Sequence, residues 1–456
     1  MTFDIILFMK VIIIGAGEVG YHIARFLTRE SDVEVVVIDT DSVKLGRIQE
    51  ELDIAVIEGE GGSPEVLRKA GADEADILLA VTNSDETNMI ACLVTKALFN
   101  VKRKIARIRN EEYFTNKILL SRENLDIDPA INPELESAKA ITRLIEAPFA
   151  YDVEDFEKGL VKVIGFRIGE DSIAAGKTLI ELRQQIRDRI LVGIIQREDK
   201  TLIPKGKDRV LPGDIIYIPV ERDKLLKTAS VLKGGIRKTS KVIMVGGGRI
   251  GYLVAREIEQ RDITLKIIER NPERCKFLTR KLERAIILNG DGTDTSLLEE
   301  ENISDMDAFV AITNNEELNI MSSLLAKRLG VGRVITVVNR TEYIPLAHSL
   351  GIEVVISPRL ITASSILRYI RRGDIVNLTA IAEDMAEIIE AAVGPGSYFR
   401  DKRIKDTRMP ASSLIGAIIR DGEIIIPGGD DTIKSGDKLI IFTLRESIKD
   451  VEKLLL

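Results

Sequence analysis

Cysteine and histidine are nearly missing from this chain. Cys92 and Cys275 are the only thiols and lie in different repeats, so neither a disulfide framework nor a thiolate metal cluster is available, and both read as buried filler. His22 and His348 are the only imidazoles, which nearly excludes a histidine-based metal centre by count; each reads as an ordinary helix residue. A basic excess is lacking too. Lys plus Arg total 65 against 72 for Asp plus Glu, a formal net charge of -7, so the balance does not point to nucleic acid. Long apolar runs are absent: IILF at 5–8 and VIIIGAG at 11–17 are broken by Lys10 or end in a glycine turn, well short of the roughly 20 residues a spanning helix needs. The first residues lack the cationic start, apolar middle and small-residue cleavage site of a secretory signal, which points to the cytoplasm, and Met9-Lys10 offers an alternative start. Tryptophan is absent, yet 45% hydrophobic against 30% charged residues, with mean hydropathy near zero, describes a globular chain. At 456 residues it is too long for one ordinary core.

What is present is repetition. VIIIGAGEVG at 11–20 returns as VIMVGGGRIG at 242–251, a spacing of 231 residues, and ADILLAVTNSDETNMIACLVTKAL at 75–98 returns as MDAFVAITNNEELNIMSSLLAKRL at 306–329. A second repeat follows each: LIPKGKDRVLPGDIIYI at 202–218 resembles IIPGGDDTIKSGDKLII at 425–441. The order is A, B, A, B, with Gly234-Gly235, before Arg237-Lys238-Thr239, as the linker. In the first A unit, β-rich runs at 11–14, 33–38, 54–57, 77–81 and 104–108 alternate with helical patterns starting near Val19, Asp41, Pro64, Asp85 and Glu111. That alternation predicts an α/β fold with a doubly wound parallel sheet. The B units, rich in Val and Ile and cut by Pro-Gly or Gly-Asp turns, read as small α+β modules.

The glycine turns carry the chemistry. Gly15 permits the tight turn, Gly17 lets backbone approach a pyrophosphate, and Gly20 lets helix pack on strand, with the helix N-terminus facing the anion. Asp39 ends the next apolar strand, VEVVVID, where a carboxylate accepts hydrogen bonds from ribose hydroxyls. The second copy repeats this with Gly246, Gly248, Gly251 and Glu269. An acid there favours NAD or an adenine nucleotide over NADP, although Arg270 beside Glu269 weakens that preference. A bare strand-to-helix turn is the alternative in each copy. Thr82 and Thr313 serve either as helix caps or as ligand contacts beyond the strand ends. Strand five of the first copy ends in Arg107-Ile108-Arg109, placing two guanidinium groups where they can meet phosphate; Val337 stands in place of Arg107 in the second copy, so the first site is expected to hold phosphate more strongly. No residue group reads as a reaction centre. That favours nucleotide sensing over the alternatives, an NAD-dependent oxidoreductase or a scaffold with vestigial sites.

The unit order, with GAGEVG, VVVIDTD, AVTNSDETNMIACLVTKAL, ARIRNEEY and the PGDIIYI and SGDKLII turns, resembles the RCK (regulator of conductance of potassium) family, in the arrangement of Trk-system regulatory subunits with two RCK halves per chain. The likeness covers nearly everything from Met9 onward. It implies two Rossmann-like domains, each followed by a small RCK C-terminal domain, with bounds at 9–148, 151–232, 238–371 and 373–456. It further implies a homo-oligomeric, tetrameric ring at the cytoplasmic face of the membrane, gating a potassium channel subunit of the TrkH or TrkG kind. The ligands would be NAD(H), and ATP or ADP. Carried over by motif, the first site comprises Gly15, Ala16, Gly17, Glu18, Val19, Asp39, Thr82, Asn83 and Arg107. The second comprises Gly246, Gly247, Gly248, Arg249, Ile250, Glu269, Thr313 and Asn314. Catalytic and metal-binding residues are expected in neither. Gly59-Glu60 departs from the Gly-Asp that follows the third strand in relatives, whereas Gly290-Asp291 keeps it. The segments at 133–145 and 358–370 are implied to be crossover helices that dock the paired Rossmann units.

Overall fold

A computed structural model of the chain describes residues 9–28, 33–186, 190–198, 200–233, 238–367, 369–370, 375–381 and 385–455. The linker expected at Gly234-Gly235 and Arg237, and the 5–8 run, lie outside the described residues. The first A unit has six parallel strands, Met9–Ile14, Val33–Asp39, Ala55–Glu58, Ile77–Ala80, Arg103–Arg107 and Ala130–Ile131, in the order third, second, first, fourth, fifth, sixth. The second A unit repeats that order with Lys241–Val245, Thr264–Glu269, Ile286–Asn289, Ala308–Ala311, Val334–Val337 and Val354–Ile356. Val11 to Ile14 are buried because helices cover both faces of the sheet, as their uninterrupted β-branched run requires. The strand order reverses between the first and fourth strands, which are parallel neighbours, so both glycine turns open at this switch point on the carboxyl edge of their sheet. One expected helix differs: the pattern starting at Glu111 stops after Glu111–Phe114. Asn116 then accepts from the Leu119 N–H and starts a separate turn, Lys117–Leu120.

Each B module is a five-stranded antiparallel sheet. The strands are Asp152–Phe156, Val161–Arg167, Ile194–Arg197, Lys200–Leu202 and Ile215–Glu221 in the first, and Ile375–Ile381, Ala386–Ala392, Ser413–Arg420, Glu423–Ile425 and Lys438–Leu444 in the second, in matching spatial order. The aspartates of the Gly-Asp turns are structural. Asp214 is buried and takes Arg197 through two bonds of 2.7 Å, and Asp437 takes Arg420 at 2.8 and 2.7 Å. The two modules share one apolar cluster, in which Phe156 and Tyr217 meet Ile388 and Phe442.

The A units are interlocked. Helix Pro133–Glu146 of the first unit packs on Arg249–Ile258 of the second, while Pro358–Leu367 of the second packs on Glu18–Leu27 of the first. Ala138, Ile141, Leu144 and Ile145 share a core with Val254, Ala255 and Ile258; Ala363, Ile366 and Leu367 share one with Ile23, Ala24 and Leu27. These are the crossover helices expected from the family. Two arginines at the starts of the fifth strands add reciprocal ties: Arg103 donates to the Tyr369 carbonyl beyond one crossover helix, and Arg333 to the Ala150 carbonyl beyond the other. Among the described residues no helix is long and apolar enough to cross a membrane.

Candidate functional site

Every α-helix of the first A unit is capped by a side chain except the one that follows the glycine turn. Asp41, Ser63, Ser84, Asn110, Asn116 and Asn132 each accept a backbone N–H at their helix, whereas Gly17 has nothing to offer. The first N–H groups of Glu18–Leu27 are therefore left for an outside acceptor, and a Cβ built on Gly17 would meet no atom within 4 Å. Gly15 must be glycine: its φ is +111°, and a Cβ would lie 3.1 Å from backbone of Val81 and Thr82. At Gly20 a Cβ would fall 1.8 Å from the Gly15 carbonyl oxygen, so side-chain-free contact is what lets helix sit on strand. Gly246, Gly248 and Gly251 repeat this pattern.

Asp39 braces its turn. One carboxylate oxygen accepts from the Ala16 N–H at 2.6 Å and the other from Asp41 at 2.9 Å; Glu269 does likewise with Gly247 and Asn271, each at 2.8 Å. Each oxygen keeps a further lone pair. The second turn has an additional brace, for Arg274 donates to the Gly247 and Gly248 carbonyls at 2.6 and 2.9 Å and stacks 4.3 Å from the Phe277 centroid. Lys44, in the corresponding place after Asp41, is held by Asp41 at 2.9 Å instead. Glu60 is exposed, and Asp291 holds its own turn through the Thr293 N–H and hydroxyl.

Thr82 and Thr313 are not the helix caps; Ser84 and Asn315 are. The threonine hydroxyls accept from those two N–H groups and bond a buried asparagine, Asn88 or Asn319, at 2.7 Å. Asn88 ties the fourth and fifth strand ends together, accepting the Thr82 N–H and donating to the Thr82 and Arg107 carbonyls. Asn319 makes the same bonds to Thr313 and Val337, which confirms that Val337 stands where Arg107 does. Beside them, Asp85 accepts from the Arg109 and Asn110 N–H groups, and Glu316 from Asn339 and Arg340. Sequence reasoning passed over these four residues. The repeat offered a signal, since both copies place Asn six residues after Thr.

The two arginines expected to meet phosphate are differently disposed. Arg107 donates to the Thr82 carbonyl and the Asn83 side chain, both at 2.9 Å, and its Nε has no partner among the described residues. Burial, then the neighbouring Arg109, holds its guanidinium below the usual arginine range. Arg109 is already engaged: Glu134, at the start of the first crossover helix, accepts from its Nε and Nη2 at 2.6 Å. The other Glu134 oxygen is buried without a partner among the described residues. Cys92 is buried, its thiol pushed up to about 12 by desolvation, but Cys275 is only half-buried and donates to the Glu269 carbonyl at 3.3 Å, so it is not the buried filler expected.

The two glycine turns face each other across the docked units, where a cleft of about 590 Å³ reaches Val19 of one and Gly248 of the other. Val19, Asn83 and Arg107 line it from the first unit, and Gly248, Arg249, Ile250, Thr313 and Asn314 from the second. Among the described residues, five guanidinium groups border it, Arg107, Arg109, Arg249, Arg274 and Arg359, against one carboxylate, Glu134. Such a cavity favours a multiply charged anion. Asp39 and Glu269 stand behind the turns, outside this lining. An adjoining cleft of about 680 Å³ carries Phe114, Tyr252 and Phe277.

Comparisons with known proteins agree with this architecture. Residues 11–133 and 242–358 match the TrkA-N domain family, and 163–233 and 388–456 the TrkA-C domain family. The chain is 40% identical over 451 residues to the Trk system potassium uptake protein TrkA of Halomonas elongata, covering 98% of each chain. Among solved structures, the GsuK RCK domain matches with a TM-score of 0.62 at 17% identity, over 98% of this chain and 95% of that one. The GsuK channel bound to NAD matches with a TM-score of 0.62 at 16% identity, over 98% and 79%. The chain, with two TrkA-N and TrkA-C pairs on the RCK fold, belongs to the TrkA family of Trk-system potassium uptake proteins, a regulatory subunit of potassium transport and not an enzyme.

Proposed function

We propose that this subunit senses nucleotide in the cleft between its Rossmann units and passes the result to a membrane-embedded potassium channel subunit of the TrkH or TrkG kind. The observation that carries the reading is the arginine-lined cleft reached by two uncapped helix N-termini. NAD(H), and ATP or ADP, have the chemistry to occupy it. Their phosphates would take the N–H groups after Gly17 and Gly248, with Gly15, Ala16, Glu18 and Val19 shaping one turn and Gly246, Gly247 and Ile250 the other. Asp39 and Glu269 would receive ribose hydroxyls on their remaining lone pairs. Arg107, with Asn83, and Arg249, with Asn314, would take the more distal phosphates, while Thr82 and Thr313 hold the strand ends in place. That the GsuK channel, of the same fold, is described with NAD bound supports the choice.

The domain bounds follow as 9–148, 151–232, 238–371 and 373–456. The chain would act in the cytoplasm at the inner face of the membrane, as a tetrameric ring. Because the cleft has walls from both units, its ligand binds best at one inter-unit angle, and only such a difference in affinity between conformations can shift a gate.

The test is calorimetric titration of the full chain with NAD, NADH, ATP and ADP, comparing wild type with Gly17→Asp and Gly248→Asp. Gly17 has φ -70° and open space around it, so aspartate is tolerated by the fold while its carboxylate repels phosphate. Binding lost turn by turn supports the reading. Unchanged binding in both variants rejects it.

A further inference from the structure

The two Rossmann units share a fold, but their facing charges are opposite in sign. At the fourth position of the glycine motif the first unit carries Glu18 and the second Arg249; at the second residue of the crossover helix the first carries Glu134 and the second Arg359. All four meet the other unit. Glu18 lies 3.6 Å from Arg359, and Glu134 lies 4.0 Å from Arg249.

Docking is reciprocal, because each crossover helix lies on the glycine-turn helix of the other unit. Any two such units that pair this way therefore set a glycine-motif residue against a crossover residue twice. First unit on second gives two contacts of opposite charge. First unit on another copy of itself would set Glu18 against Glu134 at both contacts, and second on second would set Arg249 against Arg359.

We propose that the quartet Glu18, Arg359, Glu134 and Arg249 is a pairing code that makes the first Rossmann unit accept the second and reject a copy of itself on a neighbouring chain. Like charges across an interface act mainly by excluding wrong partners. Two further ion pairs cross the same interface, Arg256 with Glu111 at 2.9 Å and Arg261 with Glu146, and both stay unchanged when the quartet is altered. Arg109, which holds Glu134, and His22 and Arg47, each 3.8 Å from Glu18, sit on the same unit as the carboxylate they face and accompany it into any pairing. Side-chain exposure rises from 10% at Glu134 through 28% at Glu18 and 37% at Arg359 to 67% at Arg249, so solvent screens the code in part and discrimination is greatest at low ionic strength. The code operates whatever ligand the cleft takes.

The test uses full-length E18R/R249E, which keeps the net charge but makes both intrachain contacts like-charged and both self-pairings attractive. At low salt its melting temperature should fall below that of wild type and rise as salt is added, opposite in sign to the wild-type response. In mixtures of isotope-labelled and unlabelled chains, lysine cross-linking should yield links between first units of different chains. Adding R359E, which restores one intrachain contact, should reverse both effects in part. Wild-type salt response and link pattern in E18R/R249E would overturn the proposal. So would a defect in E18R/R249E that neither salt nor R359E relieves.

Discussion

At the residue scale, Asn88 and Asn319 hold the candidate site together more than the residues that would touch a ligand. Each is buried and closes two strand ends with one amide. Removing a side chain that satisfies buried backbone groups leaves those groups bare, and costs about 1–3 kcal/mol. Asn88→Ala should lose about that much in urea-unfolding free energy, whereas Asn83→Ala, at an exposed position, should change stability by less than about 0.5 kcal/mol. The two thiols should also separate. Cys275 should be alkylated in the native protein at pH 8 and Cys92 only after denaturation, by mass spectrometry, because burial keeps Cys92 protonated as well as out of reach. At this scale the sequence was only partly legible. Gly15 and Gly20 declare their geometry because no other residue satisfies it. By contrast, Asp85 and Glu316 look like ordinary first-turn acids until the chain is folded and backbone N–H groups from just beyond the fifth strand are found on them.

At the element scale, apolar β-rich runs announced five of the six strands of the first A unit, but not the separate strands of the B modules. Runs such as VEVVVID admit one reading because β-branched residues buried on both faces belong in a parallel sheet. Which element covers which was not legible. Helix Pro133–Glu146 shows helical spacing of apolar residues, but its period is equally served by its own sheet or another's. Likewise GAGEVG and GGGRIG display their sign reversal openly, yet it has no meaning until Arg359 and Glu134 are seen opposite. The swapped packing predicts that Ile366→Ala, in a helix of the second unit, destabilises the first unit by about 2–5 kcal/mol, readable as faster amide exchange in Glu18–Leu27. The junction after Pro133–Glu146 makes a pH prediction. Desolvation, then Glu154, pushes Asp152 up to about 7, against the ordinary Asp near 3.9 when unfolded. The folded chain thus keeps this proton after the unfolded chain has lost it, so stability declines as pH rises from about 4 to about 7 and stays lower above. Asp152→Asn should raise the melting temperature more at pH 8 than at pH 5.

At the scale of the whole molecule, the Rossmann units and B modules are joined by the two reciprocal arginines. Desolvation lowers Arg333 to about 10, still a cation at neutral pH, and its partner is a carbonyl where crossover helix becomes B module. Arg103 makes the matching bond to the Tyr369 carbonyl on the other side. A change of angle between Rossmann units therefore pulls on both junctions. The pair Arg103→Met and Arg333→Met should leave calorimetric nucleotide affinity near wild type while weakening the nucleotide response of potassium uptake by a coupling loss of roughly 1 kcal/mol.

The interlocked helices also bear on how the chain is made. The apolar face of Glu18–Leu27 is covered by Pro358–Leu367, which leaves the ribosome roughly 340 residues later. At about 5–20 residues per second, that is an interval of roughly 20 s to a minute. Throughout it the newborn first unit has its sheet but not its lid, and the part of Glu18–Leu27 that Ala363, Ile366 and Leu367 will cover stays open. Synthesis order thus leaves the amino-terminal half short of one covering helix until the last quarter of the chain emerges.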